Sequence, residues 1–168
     1  MTRMGGIAKY MVRQKLVDKF GKEILHNSCL WYPSGEWELR ALLEGRELRN
    51  VLEIGTMFGL SAAIISEYCY HVYTHDIDDH MEKYKVWEFL DRFNISFNSE
   101  SKVKYDLAFV DGEHWKGGCK KDFEICKDIP LILFHDYNDT HIEVKEFIDG
   151  LPAKKTVEGN FVLYENKL

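Results

Sequence analysis

The stretch that most constrains the fold is Asn50 to Ser61, N-V-L-E-I-G-T-M-F-G-L-S. Val51, Leu52 and Ile54 form a short apolar run of the kind that makes a buried parallel strand. Gly55 and Gly59 bracket a tight turn, and Leu60 to Cys69 reads as a helix. Strand, glycine turn and helix make the first half of a nucleotide-binding βαβ unit. Glycine lets the backbone turn sharply and a ligand come close. The helix start offers free backbone N–H groups. The spacing is E-x-G-x-x-x-G, neither the G-x-G-x-x-G of dinucleotide binders nor the G-x-x-x-x-G-K-[ST] of phosphate loops. That argues against a nicotinamide oxidoreductase. Glu53, an anion at the strand's end, would repel a phosphate. It suits a ligand with positive charge, such as an amino-acid ammonium.

A chain of 168 residues with 45% hydrophobic composition has the material for one domain with a sizeable core. The net charge is -6 and no basic run exceeds a pair, so nucleic acid is unlikely as the main partner. Cys29, Cys69, Cys119 and Cys126 form neither a CxxC pair nor a zinc spacing. They read as reduced thiols of a cytoplasmic protein, with Cys69 and Cys126 buried. Met1 to Gly6 lacks the apolar core of a signal peptide. No run approaches the roughly 18 apolar residues of a membrane span.

In chain order, Ile7 to Leu25 reads as an amphipathic helix. It is either a lid over the active site or a helix docked on the domain's flank or on a second subunit, as in a homo-oligomer. Ser34 to Glu47 is a second helix with Ser34 as N-cap. Strands follow at Val51 to Ile54, His71 to Ile77, Asn94 to Asn98, Tyr105 to Val110 and Ile129 to Phe134. Helices are expected over Asp79 to Phe93, Lys116 to Lys127 and Thr140 to Gly150, with Asp78 and Asp79 capping the first. Lys154 to Val157 and Phe161 to Tyr164 flank Glu158-Gly159-Asn160 as a terminal hairpin on one edge of the sheet. The class is α/β: a Rossmann-like, mostly parallel seven-stranded sheet with a C-terminal antiparallel hairpin and helices on both faces. Residues 1–48 supply N-terminal helices and 49–168 the α/β core.

One crossover is too short. Seven residues, Asn98 to Lys104, separate Phe97 from Tyr105, whereas a parallel crossover needs about a dozen. In a 3-2-1-4 strand order the link must cross about 14 Å and run back about 17 Å. Seven extended residues reach about 24 Å. One crossover helix is therefore missing and part of one sheet face is thinly covered, for the N-terminal helix or a partner subunit to shield.

Ligands of open parallel sheets sit outside the strands' carboxyl ends. Those ends carry Glu53 with Gly55, Asp76, Asp111 with His114, and His135 with Asp136. Asp76 follows the glycine turn by about twenty residues, where an acid reaches ribose hydroxyls. Crowded acids invite a bound cation, or a ligand with ammonium and sulfonium charge. Without one they should share protons, and stability should rise as pH falls. His114 is either a general base, with a pKa near neutrality, or a ring that bonds a neighbouring strand end. His135-Asp136 is either metal ligand and base or a hydrogen-bonded turn, and Trp115 is a pocket wall.

Four segments appear in order: E-I-G-T-M-F-G-L-S, T-H-D-I-D, Y-D-L-A-F-V-D-G-E-H and L-I-L-F-H-D-Y. Together they resemble the class I S-adenosylmethionine-dependent methyltransferases whose fourth strand ends D-G-x-H and whose fifth ends H-D-Y. That family includes small-molecule O-methyltransferases, some dependent on a divalent metal. The match covers about Val51 to Gly150. The resemblance implies that Gly55, Thr56 and Gly59 line the methionine part of S-adenosylmethionine, with Glu53 beneath and Ser61 alongside. Asp76 would bind the ribose beside Ile77, and Asn98 and Ser99 would meet adenine. Asp111 would face the methyl-transfer centre, with His114 and His135 as catalytic partners. Asp111, His135 and Asp136 would hold Mg²⁺ or Mn²⁺. Two features depart from the family: Trp115-Lys116 replaces its usual Ser-Tyr pair, and the missing crossover helix shrinks the adenine wall. The implied function is methyl transfer to an oxygen of a small molecule. The alternative is a catalytically inactive methyltransferase-like domain serving as a ligand-binding or assembly module.

Overall fold

The computed structural model describes residues 11–21, 33–77, 86–90, 93–99, 101–115 and 117–166. The elements run α1 (Met11–Phe20), α2 (Pro33–Leu43), β1 (Leu48–Ile54), α3 (Leu60–Ile65), β2 (Cys69–His75), α4 (Val86–Leu90) and β3 (Ile95–Phe97). They continue with β4 (Leu107–Val110), α5 (Gly118–Cys126), β5 (Leu131–Phe134), α6 (Ile142–Gly150), β6 (Lys154–Glu158) and β7 (Phe161–Glu165). Seven strands form one sheet in the order β3-β2-β1-β4-β5-β7-β6. The first five are parallel, and β7 runs antiparallel to both β5 and β6. This is the expected Rossmann-like class, with its terminal hairpin at one edge.

Strand β4 shows why the central strands read as apolar runs rather than alternating ones. Leu107 and Phe109 point into one core, with Val51 and Leu133 from the neighbouring strands and α1 to α4 above them. Ala108 and Val110 point into the other, with Leu52, Ile132 and Phe134, under α5 and α6. Both faces of the strand are thus out of water.

Several boundaries differ from the sequence reading. The helix expected to reach Cys69 stops at Ile65, and β2 begins at Cys69 rather than His71. Ser66 ends the helix, its hydroxyl donating back to the Ala63 carbonyl at 2.7 Å. β1 begins at Leu48 rather than Val51, because Leu48 pairs with Cys69 and Asn50 with His71. Pairing with a neighbour carries both strands past their apolar runs. The helix expected from Asp79 is described only over Val86–Leu90, and its capping acids Asp78 and Asp79 lie outside the described residues.

No helix lies between β3 and β4 among the described residues, as the chain-length argument required. The uncovered end of that sheet face carries Tyr73, in register with Leu52, and the ring of Tyr105 packs edge-on against it at 5.7 Å. α1 does not cover this gap. Its Leu16 is buried with Leu60 and Ile64 of α3, on the opposite face. Among the described cysteines all three are free thiols, and burial pushes each up to about 12. Cys126 and Cys119 are buried; Cys69 is only half-buried, against expectation, because β2 starts there near the surface. No described helix is long and apolar enough to cross a membrane.

Candidate active site at the carboxyl ends of the strands

The turn after β1 is built by close approach. Gly55 has φ 96°, and a Cβ there would lie 2.1 Å from the Asp111 carbonyl oxygen. Its N–H donates to the His75 carbonyl at 2.8 Å, and the Asp111 N–H donates to the Ile54 carbonyl at 2.9 Å. Three strand ends are thereby drawn to one point, which only glycine allows. Met57, at φ 45°, donates its N–H to the Asp76 carboxylate at 2.7 Å. Asp76 is fixed in turn by Asn98, whose side-chain amide accepts from the Asp76 N–H at 3.0 Å and donates to its carbonyl at 3.2 Å. Asn98 therefore positions the acid, with its own amide spent on that task. Gly59, at φ 72°, caps α3.

Two expected ligand contacts are buried, Thr56 still among the residues that line the pocket and Glu53 not. Thr56 is buried, with its hydroxyl 2.5 Å from that of Thr74. Glu53 is 0% exposed, with the Ser61 and Thr74 hydroxyls beside its carboxylate but too poorly aligned to close a hydrogen bond to either oxygen. Burial pushes its pKa up to about 8; the Ser61 and Thr74 hydroxyls pull it down, and the charges of Asp111 and Asp76 push it further up. Glu53 lies under the turn as a largely neutral acid at neutral pH.

A cleft of about 1440 Å³ opens above these residues. Gly55, Met57, Asp76, Ile77 and Ser99 line one end; Asp111, His114, His135 and Asp136 line the other. Ile77 is 95% exposed. The cleft also runs beneath the helix-free link, where Leu52, Tyr105 and Ile125 line it.

The far end is a network of carboxylates and imidazoles. His135 Nδ1 lies 2.9 Å from Asp111 Oδ1 and 3.2 Å from Asp136 Oδ1. Its ring rests on Phe161, with centroids 4.7 Å apart. His114 Nε2 lies 2.7 Å from Asp136 Oδ2 and 3.4 Å from Asp111 Oδ1. Asp136 itself sits at φ 59°, a strained left-handed position for a non-glycine residue that persists only where surroundings over-determine it. Burial would raise Asp111 and Asp136, but the two histidines outweigh it and hold both acids below the usual carboxylate range. Hydrogen bonds to Asp111 and Asp136 raise His114 to about 9. Burial opposes the charge on His135, yet Asp111 carries it up to about 10. The expectation that these acids share protons is thus reversed: the histidines neutralise them.

Asp111, His135 and Asp136, the expected metal set, are brought together, each offering a ligand atom within 4.8 Å of the others. Carboxylate and imidazole donors suit a divalent transition metal. However, none of the three has a buried polar atom without a partner. They are closed on one another as ion pairs, and an ion between them would have to break those pairs.

The sequence reading missed His141, at the start of α6. Its ring lies 5.0 Å from that of His114 and 5.8 Å from that of Trp115, and its Nδ1 lies 3.4 Å from Asp136 Oδ1. Asn138 fixes this loop by accepting from the N–H groups of Thr140 and His141. No motif marks His141; only the return of α6 beside β5 brings it in. Asn160 of the hairpin turn also lines the cleft. Trp115, 54% exposed, stands as a wall at the mouth.

No protein-family model matches the chain, and no curated protein matches it. Solved structures do. An O-methyltransferase from Bacillus cereus in complex with SAH superposes with a TM-score of 0.62 at 17% identity, covering 96% of this chain and 93% of that one. The O-methyltransferase TomG from Streptomyces achromogenes, involved in tomaymycin synthesis and bound to SAM, gives 0.60 at 13% identity, covering 98% and 92%. The N-methyltransferase NodS from Bradyrhizobium japonicum WM9, bound to S-adenosyl-L-homocysteine, gives 0.58 at 15% identity, covering 94% and 99%. The α/β fold, with acids and histidines gathered at the strands' carboxyl ends, is Rossmann-like. More narrowly, the chain has the fold of the S-adenosylmethionine-dependent methyltransferases.

Proposed function

We propose that the protein is an S-adenosylmethionine-dependent methyltransferase acting on an oxygen of a small molecule. The observation that carries this reading is the Gly55 turn with Asp76 pinned beside it. The cleft's two ends then divide the work. Gly55, Met57 and Gly59 present backbone to the methionine part, with Ser61 and the uncharged Glu53 beneath. Asp76 takes the ribose hydroxyls, and Ile77 and Ser99 border the base. Bound there, the cofactor supplies an electrophilic methyl group on a positively charged sulfur.

At the other end Asp111 faces the transferring methyl. His114, in its neutral form, would take the proton of the acceptor oxygen. His135 positions Asp111. Alignment of the two reactants supplies much of the rate. Mg²⁺ or Mn²⁺ at Asp111, His135 and Asp136 would have to displace their ion pairs, and this scheme assigns it no step. His114 must lose its proton to act, so the rate should climb with pH toward about 9.

The second reading is a binding or assembly module without turnover. It is favoured by the wide cleft under the helix-free link and by a His114 that keeps its proton at neutral pH. Calorimetric titration with S-adenosylmethionine tests the common part, and no saturable binding would sink both readings. Appearance of S-adenosylhomocysteine with a panel of hydroxylated small molecules separates them.

A further inference from the structure

The outer half of the rim holds a group of residues that the methyl-transfer scheme does not use as a set. We propose that His114, Asp136 and His141 form a binding site for one divalent transition-metal ion of the zinc, cobalt or iron(II) kind. This site shares Asp136 with the strand-end set Asp111, His135 and Asp136 but takes its two histidines from the outer half of the rim, and its test does not depend on methyl transfer.

The geometry of the donors comes first. Each of the three residues offers one ligand atom, and these atoms lie within 4.8 Å of one another. The Asp136 carboxylate turns Oδ2 toward His114 Nε2 at 2.7 Å and Oδ1 toward His141 Nδ1 at 3.4 Å. Metal–ligand bonds of about 2.0–2.2 Å put neighbouring donors roughly 3 Å apart, so small shifts complete the coordination. Two imidazoles and one carboxylate on one side of an ion leave its other positions open. Mg²⁺ prefers an all-oxygen octahedral shell with several waters, so the nitrogen donors select against it.

An orphaned donor is the second observation. His141 Nδ1 is buried and has no hydrogen-bond partner. It points toward the carboxylate without closing a bond to it. It is one of the buried polar atoms without a partner at this rim, beside those of Glu53 and Asp122, and such groups call for an explanation, an ion among them. The strand-end set shows nothing equivalent.

Access and support agree. The side chains of His114, Asp136 and His141 are 28%, 12% and 22% exposed, whereas those of His135 and Asp111 are 6% and 9%. An ion can reach the outer set from solvent. The inner pair flanks it, with His135 Nδ1 3.2 Å from Asp136 Oδ1 and Asp111 Oδ1 2.9 Å behind that same nitrogen. Such outer-shell contacts orient metal ligands. The rigid loop from Asp136 to His141, held by Asn138, sets the spacing of two of the three ligands. An ion here takes the ring nitrogen that otherwise carries the His114 proton, so the methyl-transfer scheme, with His114 as base, belongs to the ion-free protein.

The test uses the full chain after treatment with EDTA, titrated separately with Co²⁺, Zn²⁺ and Mg²⁺. Calorimetry should give one saturable site for Co²⁺ and Zn²⁺, with Mg²⁺ at least tenfold weaker. Visible absorption of the Co²⁺ form should report nitrogen ligands. His141→Ala should weaken Co²⁺ at least tenfold, and by more than Asp111→Asn, which removes a supporting contact and not a ligand. Melting curves in EDTA check that both variants fold, and His141→Asn replaces His141→Ala if that one does not. Full affinity in the folded His141 variant would overturn the proposal, more so if Asp111→Asn abolished binding. The absence of any saturable Co²⁺ or Zn²⁺ site would overturn it as well. Titration of the same metal-free protein with S-adenosylmethionine is a separate readout, so failure of one reading leaves the other to its own result.

Discussion

Two carboxylates at the ends of adjacent strands meet opposite fates. Glu53 ends β1 in a pocket with hydroxyls but no cation, and it is driven up to about 8. Asp111 follows β4, also buried, with His135 and His114 against it, and it is held low. Burial acts on both in the same direction. What differs is the partner. A buried acid beside an imidazole stays charged and obliges the imidazole to stay charged too; a buried acid beside hydroxyls keeps its proton. The cleft therefore has an uncharged floor at one end and a dense charge network at the other.

The sharpest way to break this arrangement is at the junction of the two regions. Gly55→Val would drive a side chain into the Asp111 carbonyl. The expected loss of stability is on the order of 4–5 kcal/mol, at the severe end for one substitution, together with loss of S-adenosylmethionine binding. Urea unfolding measures it. A variant as stable as the parent would mean that the β1 and β4 turns are not in contact.

Next in size is His135→Leu, which makes Asp111 resemble Glu53 by taking away its nearest cation. Removing one partner of a buried pair costs about 3–5 kcal/mol. The measurement is urea unfolding at pH 7 in EDTA. An unchanged midpoint would show that His135 does not hold the charge on Asp111.

Glu53→Gln probes the uncharged end through pH. The folded-state pKa of about 8 lies above the ordinary 4.5, so the unfolded chain releases this proton first. Stability is fully present below pH 4.5 and is lost as pH rises from 4.5 to 8, by at most about 1.4 kcal/mol per unit. The glutamine variant should lack that loss, so its stability relative to the parent should improve steadily across the window. Parallel curves for the two proteins would place a charged Glu53 under the turn.

The smallest effect belongs to Asp76→Ala. S-adenosylmethionine affinity, read by calorimetry, should fall by about 1–3 kcal/mol as the ribose hydroxyls lose their acceptor. The Met57 N–H loses its partner at the same time. If affinity is unchanged, the ribose is held elsewhere.

Much of this was legible beforehand, and particular residues show why. The V-L-E-I-G run announced β1 and its turn because a buried strand followed by a necessary glycine is a local pattern. The missing crossover helix followed from counting residues against strand spacings, and α1 proved unable to cover the gap since Leu16 binds the other face. Thr56, Asn98 and Glu53 were harder. A motif says that they are near a ligand; in the fold Thr56 and Asn98 line the cleft while pairing with Thr74 and clamping Asp76, and Glu53 lies buried beside the Ser61 and Thr74 hydroxyls. The ends of α3 and β1 were misplaced because Leu48 and Cys69 are strand only by virtue of each other.

The order of strands, the glycine turn and the presence of acids and histidines at the strands' carboxyl ends were determined by the sequence itself. Those features depend on hydrophobic period and on backbone sterics, which act within a few residues. Which acids are charged, and that His141 joins them, was decided only by tertiary structure. Electrostatic energy depends on distance through space and on the surrounding medium, and His141 lies 3.4 Å from Asp136 because α6 returns beside β5.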